Sequence, residues 1–271
     1  MHVYQKIAAL TVGALFVSGP GKHLRRILAR RRPPLVRPDL KVAIVAHAYY
    51  LELLDEILEC RSMLQGVVPL FVTVPFDRLK EAERLLRDVQ GVAIHPYVNR
   101  GRDIAPFLML LQSGKLDQFD AVLKLHTKRS PHLLDGETRR KLLFAMLCGE
   151  REAASRTVAM FAEPTTGIVG WAACYRTGPS YWMDNEARVR EVSARMGADS
   201  SLRLGFFEGS MFWFRPSALA ALSDLALSMD DFEIENGQLD GTLHHTLERC
   251  FTIAAWARGY IVRDLRGRVL P

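Results

Sequence analysis

Polar and charged residues stand directly after three apolar segments of this 271-residue chain, at positions that could bind a ligand. His47 and Tyr49 follow the first segment, and the run Asn99–Asp103 (NRGRD) follows the third. In that run two arginines flank a glycine just before an expected helix, where backbone N–H groups and the helix dipole favour negative charge. The pattern indicates an anion-binding site around Arg102 and Asp103.

The fourth apolar segment ends in alternating cationic side chains. Lys124, His126 and Lys128 occupy every second position of an expected strand, so they project to the same face. Three cations on one face repel one another unless an anion lies among them, and a diphosphate would be such an anion. An exposed edge strand with ordinary surface charges is the alternative interpretation.

A third group of residues, at 238–249, has the spacing of a catalytic base and its partner. If this segment is helical, Asp240, His244 and Glu248 follow one another at intervals of four and lie near one face. A carboxylate with a histidine one turn later could act as a general base, and the same spacing could hold a divalent metal. Alternatively, Asp240 caps the helix and the histidines face the core.

A turn of small residues leads into an aromatic strand at 209–214 (GSMFWF). Aromatic faces stack on the apolar faces of pyranose rings, so Gly209, Ser210 and Trp213 are candidates for an acceptor-sugar site. Glu208 is unexpected, because we anticipate a small apolar residue before Gly209. Aromatic strands usually belong to the core, which is the competing interpretation.

Strands and helices alternate through the first half of the chain, and this order must position the polar residues. Short apolar runs predict strands at 41–47, 67–74, 92–98, 121–125, 167–171 and 211–214. Helices are expected at 51–64, 77–87, 103–112, 138–161, 216–227 and 239–259. The alternation predicts an α/β fold with a mostly parallel sheet and helices on both faces. Ligands of such sheets bind beyond the carboxyl ends of the strands. No GxGxxG or GxxxxGK[ST] motif occurs, which argues against a dinucleotide fold or a P-loop ATPase.

The positive charge of the chain belongs to an N-terminal arm. The formal net charge is +6, but residues 22–37 hold seven Lys/Arg and no Asp/Glu, which leaves 29 basic and 30 acidic residues elsewhere. A body without excess positive charge argues against nucleic-acid binding. Prolines at 33, 34 and 38 mark a linker, so we expect the arm at 1–40 and the folded domain at 41–271.

The arm has the composition of a membrane-surface segment. Residues 7–17 form an apolar run of eleven residues, too short to span a bilayer. The basic residues that follow it suit the inner, cytoplasmic face of an anionic membrane. A helix packed on the core, followed by a solvated basic linker, is the alternative.

The four cysteines are far apart and form no CxxC pair. In a chain of this length the spacing predicts reduced, buried thiols in a cytosolic compartment, with neither a disulfide framework nor a structural zinc.

Four strings together resemble the rhamnan synthesis protein F family: NRGRDIAPFL from Asn99, KLHTKRS from Lys124, GSMFWFRPSAL from Gly209 and QLDGTLHHTLER from Gln238. The resemblance covers about 41–260. It implies a cell-surface polysaccharide assembly protein, mainly a rhamnosyltransferase that uses dTDP-L-rhamnose. The order of the motifs also looks like a GT-A glycosyltransferase with a Rossmann-type sheet, in which a nucleotide-sugar half precedes an acceptor half.

The resemblance gives each candidate residue an expected role. His47 and Tyr49 would approach the base or ribose, while Asn99, Arg102 and Asp103 would contact nucleotide and donor sugar. Lys124, His126 and Lys128 stand where many GT-A enzymes carry an Asp-x-Asp metal site, and this chain has no such pair of carboxylates. Side-chain cations would then replace a divalent Mg or Mn ion at the diphosphate. Asp240 is the expected catalytic base with Glu235 in reserve, and His244 would orient Asp240 or contact the leaving group.

The implied reaction is a single displacement on the donor sugar. Asp240 takes a proton from an acceptor hydroxyl, which attacks the anomeric carbon of a β-linked donor and yields an α-rhamnoside. A lipid-linked or growing glycan would be the acceptor. Two alternatives stay open: a UDP- or GDP-sugar donor, and a noncatalytic module that binds a nucleotide-sugar or a glycan.

Overall fold

The structure, a computed structural model, describes residues 18, 21, 39–127, 136–198 and 202–271. Nine strands are assigned in these ranges: β1 (Val42–His47), β2 (Leu70–Pro75), β3 (Val92–Tyr97), β4 (Ala121–His126), β5 (Thr166–Gly170), β6 (Tyr175–Arg176), β7 (Phe206–Phe207), β8 (Phe212–Phe214) and β9 (Ile261–Asp264). Seven of them form the central sheet, in the order β3-β2-β1-β4-β8-β5-β9, and β6 pairs separately with β7.

The sheet is mostly parallel, as the alternation predicts. Strands β3, β2, β1 and β4 run in one direction, and β9 is parallel to β5. Only β8 runs against its neighbours β4 and β5. Because β4 and β5 are both antiparallel to β8, they point the same way, and their carboxyl ends lie at one edge of the sheet. The fold is Rossmann-like.

Helices cover both faces of this sheet. They are α1 (Leu54–Ser62), α2 (Leu79–Leu86), α3 (Ile104–Gln112), α4 (Gly136–Cys148), α5 (Arg151–Ala159), α6 (Glu186–Arg195), α7 (Ala220–Ser223) and α8 (Leu243–Ala257). Adjacent residues of β1 belong to different hydrophobic clusters: Val45 packs with Phe107 of α3, and Ile44 packs with Ile57 of α1. This division follows from the two-residue period of a strand.

Three predicted helices differ from the structure. The helix expected at 138–161 is interrupted at Gly149, where a Cβ would lie 2.6 Å from the backbone of Ala145, and becomes α4 and α5. The helix expected at 216–227 shrinks to a 3-10 turn and α7. The helix expected at 239–259 begins only at Leu243, because Gly241 has a φ of +75° and Thr242 is extended.

The cysteine prediction was wrong for one pair. Cys60 of α1 and Cys148 of α4 form a disulfide; they are 88 positions apart in sequence, and their Cα atoms lie 5.2 Å apart. Sequence spacing gave no sign of the pair because only the packing of α1 against α4 brings it together. Cys174 and Cys250 are free and buried, as expected.

The predicted arm, residues 1–40, lies almost entirely outside the described residues. Within the described part of the chain, every helix is too short or too polar to cross a bilayer.

Candidate functional site

Four chain segments meet at the carboxyl edge of the sheet, where the sequence placed the ligand site. His47 ends β1, and it pairs in register with His126 at the end of β4. Asp103 precedes α3, and the turn Gly209–Ser210 leads into β8. Direct contacts join these segments, so the predicted convergence of the residues that follow the strands is confirmed.

Lys124 is the centre of this cluster. Its side chain is 1% exposed. The Nζ atom donates to Asp103 Oδ2 at 2.6 Å, to Ser210 O at 2.9 Å and to Ser210 Oγ at 3.0 Å. The rings of Phe107 and Phe251 lie 5.1 and 5.7 Å from the ammonium. An ammonium has three N–H donors, and all three have acceptors within the protein.

This arrangement changes the expected role of Lys124. Converging cations require an anion among them, and the structure supplies one: the carboxylate of Asp103. Lys124 therefore has no donor left for a diphosphate. Its ammonium instead fixes the loop after β3 to the turn before β8, which makes it a positioning residue.

Two histidines complete the buried cluster. His47 Nδ1 lies 2.9 Å from Thr73 Oγ1, and His126 Nε2 lies 2.7 Å from the carbonyl oxygen of Gly209. Burial lowers the pKa of His47 to about 4, against the opposing effect of the Asp103 charge. Burial raises the pKa of Asp103, but the nearby His126, Lys124 and His47 outweigh it and hold that pKa well below its usual range.

The backbone around Asp103 is tightly constrained. Gly101 has a φ of +63°, and a Cβ there would lie 2.5 Å from both Ala105 Cβ and the Phe232 ring. The N–H groups of Ile104 and Ala105 both donate to Gly101 O. Because the next residue of α3, Pro106, has no N–H, the first turn of the helix is closed to an anion. The anion site that we expected at this helix terminus is therefore not available.

A partly exposed ion pair borders the buried cluster. Arg102 Nε and Nη2 each lie 3.1 Å from an oxygen of Glu235, and Nη2 also donates to Gln238 O at 2.6 Å. The side chains of Arg102 and Glu235 are 39% and 25% exposed. Burial raises the pKa of Glu235, but the Arg102 bonds and the Gly237 N–H outweigh it and lower that pKa.

Asp240 occupies a different position from the one predicted. It precedes α8 instead of lying on it, so it does not share a helix face with His244. Its oxygens accept bonds from Asn185 Nδ2 at 2.8 and 2.9 Å and from Asp184 N–H at 3.0 Å, with Arg249 at 3.7 Å. These bonds join the loop before α8 to the loop before α6.

His244 is buried beside the ion pair. Its Nδ1 lies 2.9 Å from Thr242 Oγ1, and its ring centre lies 4.1 Å from that of His245, with the two rings tilted by 40°. Burial lowers the pKa of His244; the charge of Arg102 acts in the same direction, while Asp103 and Glu235 oppose it. Glu248, one turn later on α8, accepts the N–H of Gly209 at 3.0 Å.

Of the three expected acceptor residues, two lie in the site and one lies in the core. Gly209 and Ser210 lie in the site, both with positive φ, at +88° and +53°. Trp213 has no exposed surface, and its Nε1 donates to Leu147 O within the core. Trp213 cannot contact a ligand in this structure, because the alternation along β8 turns it toward α4.

The remaining donor-site candidates lie at the rim or outside the described ranges. Tyr49 is half-buried, with the Arg78 guanidinium 5.8 Å from its ring centre, and Asn99 is exposed. Lys128 lies outside the described residues. Among the residues that are described, no group of three or more His, Cys, Asp or Glu side chains has the arrangement of a metal site.

Sequence reasoning missed the charged group on the other side of Gly209. Glu208 Oε2 accepts bonds from Arg176 at 2.6 Å and Arg139 at 3.0 Å. Arg176 lies on β6, opposite Phe206 of β7, so the antiparallel pairing of these two strands brings it close to Glu208. The unexpected carboxylate before Gly209 was the available signal, but its partners lie 32 and 69 residues away.

Comparison with known proteins agrees with the motifs. The family described as rhamnan synthesis protein F matches residues 24–260. The chain belongs to this family. The family's description ties the chain to the synthesis of rhamnan, a polysaccharide.

Two relatives carry the name "Uncharacterized protein WxcX", one in Xanthomonas campestris pv. campestris strain B100 and one in strain ATCC 33913. Each is 33% identical over 242 residues, an alignment that covers 86% of this chain and 34% of the relative. The chain thus spans about a third of the length of these relatives.

Proposed function

We propose that the chain is an inverting glycosyltransferase that transfers L-rhamnose from dTDP-L-rhamnose to a hydroxyl of a glycan acceptor. Membership of the rhamnan synthesis family supports L-rhamnose as the transferred sugar. The sheet supports a GT-A organisation: β3, β2, β1 and β4 form a parallel half for the nucleotide, and the antiparallel β8 opens the acceptor half. Donor and acceptor would meet at the carboxyl edge, where both halves contribute side chains.

We assign the catalytic base to Glu235 in preference to Asp240. Both carboxylates have a lowered pKa and are ionised at neutral pH. Asp240 accepts bonds from Asn185 and Asp184 and is 10% exposed, so it holds two loops together. Glu235 is 25% exposed and pairs with Arg102, next to the buried Asp103 cluster. Its Oε2 accepts only the Arg102 Nε bond among the described residues, which leaves a lone pair for a substrate proton.

The proposed reaction is a single displacement at the anomeric carbon of the donor. The acceptor hydroxyl gives its proton to Glu235 Oε2, and its oxygen forms a bond to the anomeric carbon of the donor. The bond from that carbon to the β-phosphate oxygen breaks, and dTDP leaves with the electron pair. Arg102 faces the charge that develops on dTDP, and Lys128 is proposed to assist it. Attack opposite a β-linked leaving group gives an α-rhamnoside.

The surrounding residues position the donor. Asn99 and Tyr49 would contact the nucleotide at the rim, with His126 and the neutral His47 beneath it. The buried Lys124–Asp103 pair keeps Arg102 aligned, because Arg102 directly precedes Asp103 and has a φ of +52°. Because Arg102 and Lys128 are proposed to offset the phosphate charge, transfer should not require Mg or Mn, and EDTA should leave the rate unchanged.

The single observation that carries the proposal is the partly exposed Arg102–Glu235 pair at the carboxyl edge of the sheet. The test compares Glu235→Gln with Asp240→Asn in the full chain, using release of dTDP from dTDP-L-rhamnose with a rhamnan acceptor. Loss of a general base costs about 10²–10⁴-fold in rate. We expect this loss for E235Q with unchanged dTDP affinity, and a smaller loss for D240N. A larger loss for D240N would return the base to Asp240.

We also propose that the arm holds the enzyme on the inner face of the membrane, next to a lipid-linked acceptor. The basis is its apolar run and seven basic residues. Replacing Arg30, Arg31 and Arg32 with Gln should release the full chain from vesicles that contain anionic lipid, since each cation contributes about 1 kcal/mol. Equal sedimentation of the variant and the parent with these vesicles would contradict the proposal.

A further inference from the structure

A cavity beside the candidate site opens at the same edge of the sheet. Its volume is about 190 Å³, and its lining includes Trp171, Arg139, Glu208, Leu143 and Gly209. Trp171 directly follows β5, and Glu208 and Gly209 precede β8. Because β5 points the same way as β4, and β8 runs against both, these residues share the carboxyl edge with His126 and Asp103.

Gly209 belongs to both the cavity and the buried cluster. Its carbonyl accepts the His126 bond at 2.7 Å, its N–H donates to Glu248, and it lines the cavity. The next residue, Ser210, accepts two hydrogen bonds from the Lys124 ammonium, one at its carbonyl oxygen and one at Oγ. The cavity is therefore adjacent to the proposed donor site, on the β8–β5 side of the sheet.

The lining combines an aromatic ring, apolar side chains and a small number of charged groups. Trp171 is half-buried, and Leu143 and Met211 add apolar surface. Arg139 and Glu208 are 39% and 40% exposed and lie 3.0 Å apart. Both guanidinium groups that contact Glu208 bond to Oε2, so Oε1 is the oxygen available for a ligand hydroxyl.

This combination matches one sugar ring. A pyranose has apolar C–H faces that stack on an indole and a rim of hydroxyls that bond to carboxylate and guanidinium groups. Pockets for drug-sized ligands have about 300–1,000 Å³, so a cavity of about 190 Å³ suits a smaller unit. Arg140 also lines the cavity. Its charge is neutralised by Glu56, which accepts hydrogen bonds from two of its nitrogens.

We infer that this cavity is an acceptor subsite that binds one sugar residue of the growing glycan, with Trp171 under the ring and Glu208 and Arg139 on its hydroxyls. The inference rests on the proposed function for the identity of the glycan. It replaces Trp213 with Trp171 as the aromatic residue of the acceptor site, and it gives the unexpected Glu208 a role in binding.

The test measures sugar binding directly, without catalysis. Saturation-transfer NMR of the full chain with methyl α-L-rhamnopyranoside should show transfer to the ring protons. Trp171→Ala should weaken this binding at least ten-fold, Trp171→Phe should retain part of it, and Glu208→Gln and Arg139→Gln should weaken it several-fold. Trp182→Ala is the matched control, because Trp182 contacts Arg190 and does not line the cavity; its binding should equal that of the parent.

Nucleotide binding separates this inference from the proposed function. Calorimetric titration with dTDP should give the same affinity for the parent and for all five variants, which also shows that each variant is folded. If dTDP binds but the rhamnoside does not, or if W171A and E208Q bind it as the parent does, the subsite is overturned. If the parent binds the rhamnoside and W171A does not, while neither the parent nor any variant binds dTDP, the subsite is supported and the assignment of the donor site is wrong.

Discussion

Removal of the Lys124 charge should destabilise the protein strongly. In Lys124→Met the carboxylate of Asp103, which is 16% exposed, loses its ammonium partner at 2.6 Å, and Ser210 loses both of its bonds to that group. Removing one member of a buried ion pair costs about 3–5 kcal/mol, because the other charge stays buried without compensation. This is a large part of the roughly 5–15 kcal/mol that stabilises a typical domain.

Urea unfolding at neutral pH, followed by circular dichroism, measures the change in the free energy of unfolding. Lys141→Met is the matched control, because Lys141 pairs with Glu137 on the surface of α4 with both side chains largely exposed. Exposed pairs contribute about 0–1 kcal/mol, so K141M should behave almost as the parent.

A double variant isolates the pair itself. Asp103→Asn combined with Lys124→Met removes both charges and should recover at least about 1 kcal/mol relative to the sum of the two single changes. A loss below about 1 kcal/mol for K124M, or strict additivity in the double variant, would refute the description of Lys124 and Asp103 as a coupled buried pair.

Three further perturbations test separate parts of the structure. His47 has a pKa of about 4 in the folded protein, against 6.5 for the ordinary group. Its contribution to the free energy of unfolding is therefore complete above pH 6.5. That contribution is lost as the pH falls toward 4, because in this range the unfolded chain takes up the proton and the folded protein does not. His47→Gln should therefore lower stability less at pH 4.5 than at pH 7.5, by about 2–3 kcal/mol, and parallel pH profiles would contradict this. Thiol titration in denaturant should count two free cysteines without reductant and four after reduction; four at the outset would exclude the Cys60–Cys148 bond. Gly101→Ala should lower the free energy of unfolding in urea by about 2–4 kcal/mol, because the new Cβ would lie 2.5 Å from the Phe232 ring in a backbone with positive φ. Gly237→Ala is the control, because Gly237 also has a positive φ but no atom lies close to the new Cβ; it should cost only about 1 kcal/mol.

The mostly parallel sheet and the position of the site could be predicted from the sequence because both depend on local patterns. Short apolar runs such as 41–47 and 121–125 favour buried strands, and polar residues after parallel strands gather at one edge. This reasoning brought His47, Asp103, Lys124 and His126 together correctly.

The partners within the site could not be predicted, because they depend on contacts between distant segments. Lys124 finds acceptors 21 and 86 residues away, so its charge looked free in the sequence. Asp240 was placed on a helix face because His244 and Glu248 follow it at intervals of four. In the structure Gly241 and Thr242 delay the start of α8 to Leu243. The helix begins four residues later than expected, at 243 instead of 239. Asp240 therefore bonds to Asn185 instead of sharing a helix face with His244.

The burial of Trp213 shows a second limit of sequence reasoning. A strand exposes or buries alternate residues, and the sequence of β8 has aromatic residues at all three positions. Composition therefore could not tell which ring faces the ligand. In the structure none does, and the half-buried indole at this edge belongs to Trp171, after a different strand.

Nucleotide binding by the full chain tests the central claim most directly. Calorimetric titrations with dTDP, UDP and GDP, each with EDTA and with Mn²⁺, should show selective binding of dTDP that is the same under both conditions. Binding should weaken about ten-fold in Asn99→Ala and Tyr49→Ala, the rim positions of the proposed donor site. Preference for UDP or GDP would change the donor, and the absence of binding by any nucleotide would contradict a glycosyltransferase and favour a noncatalytic glycan-binding role.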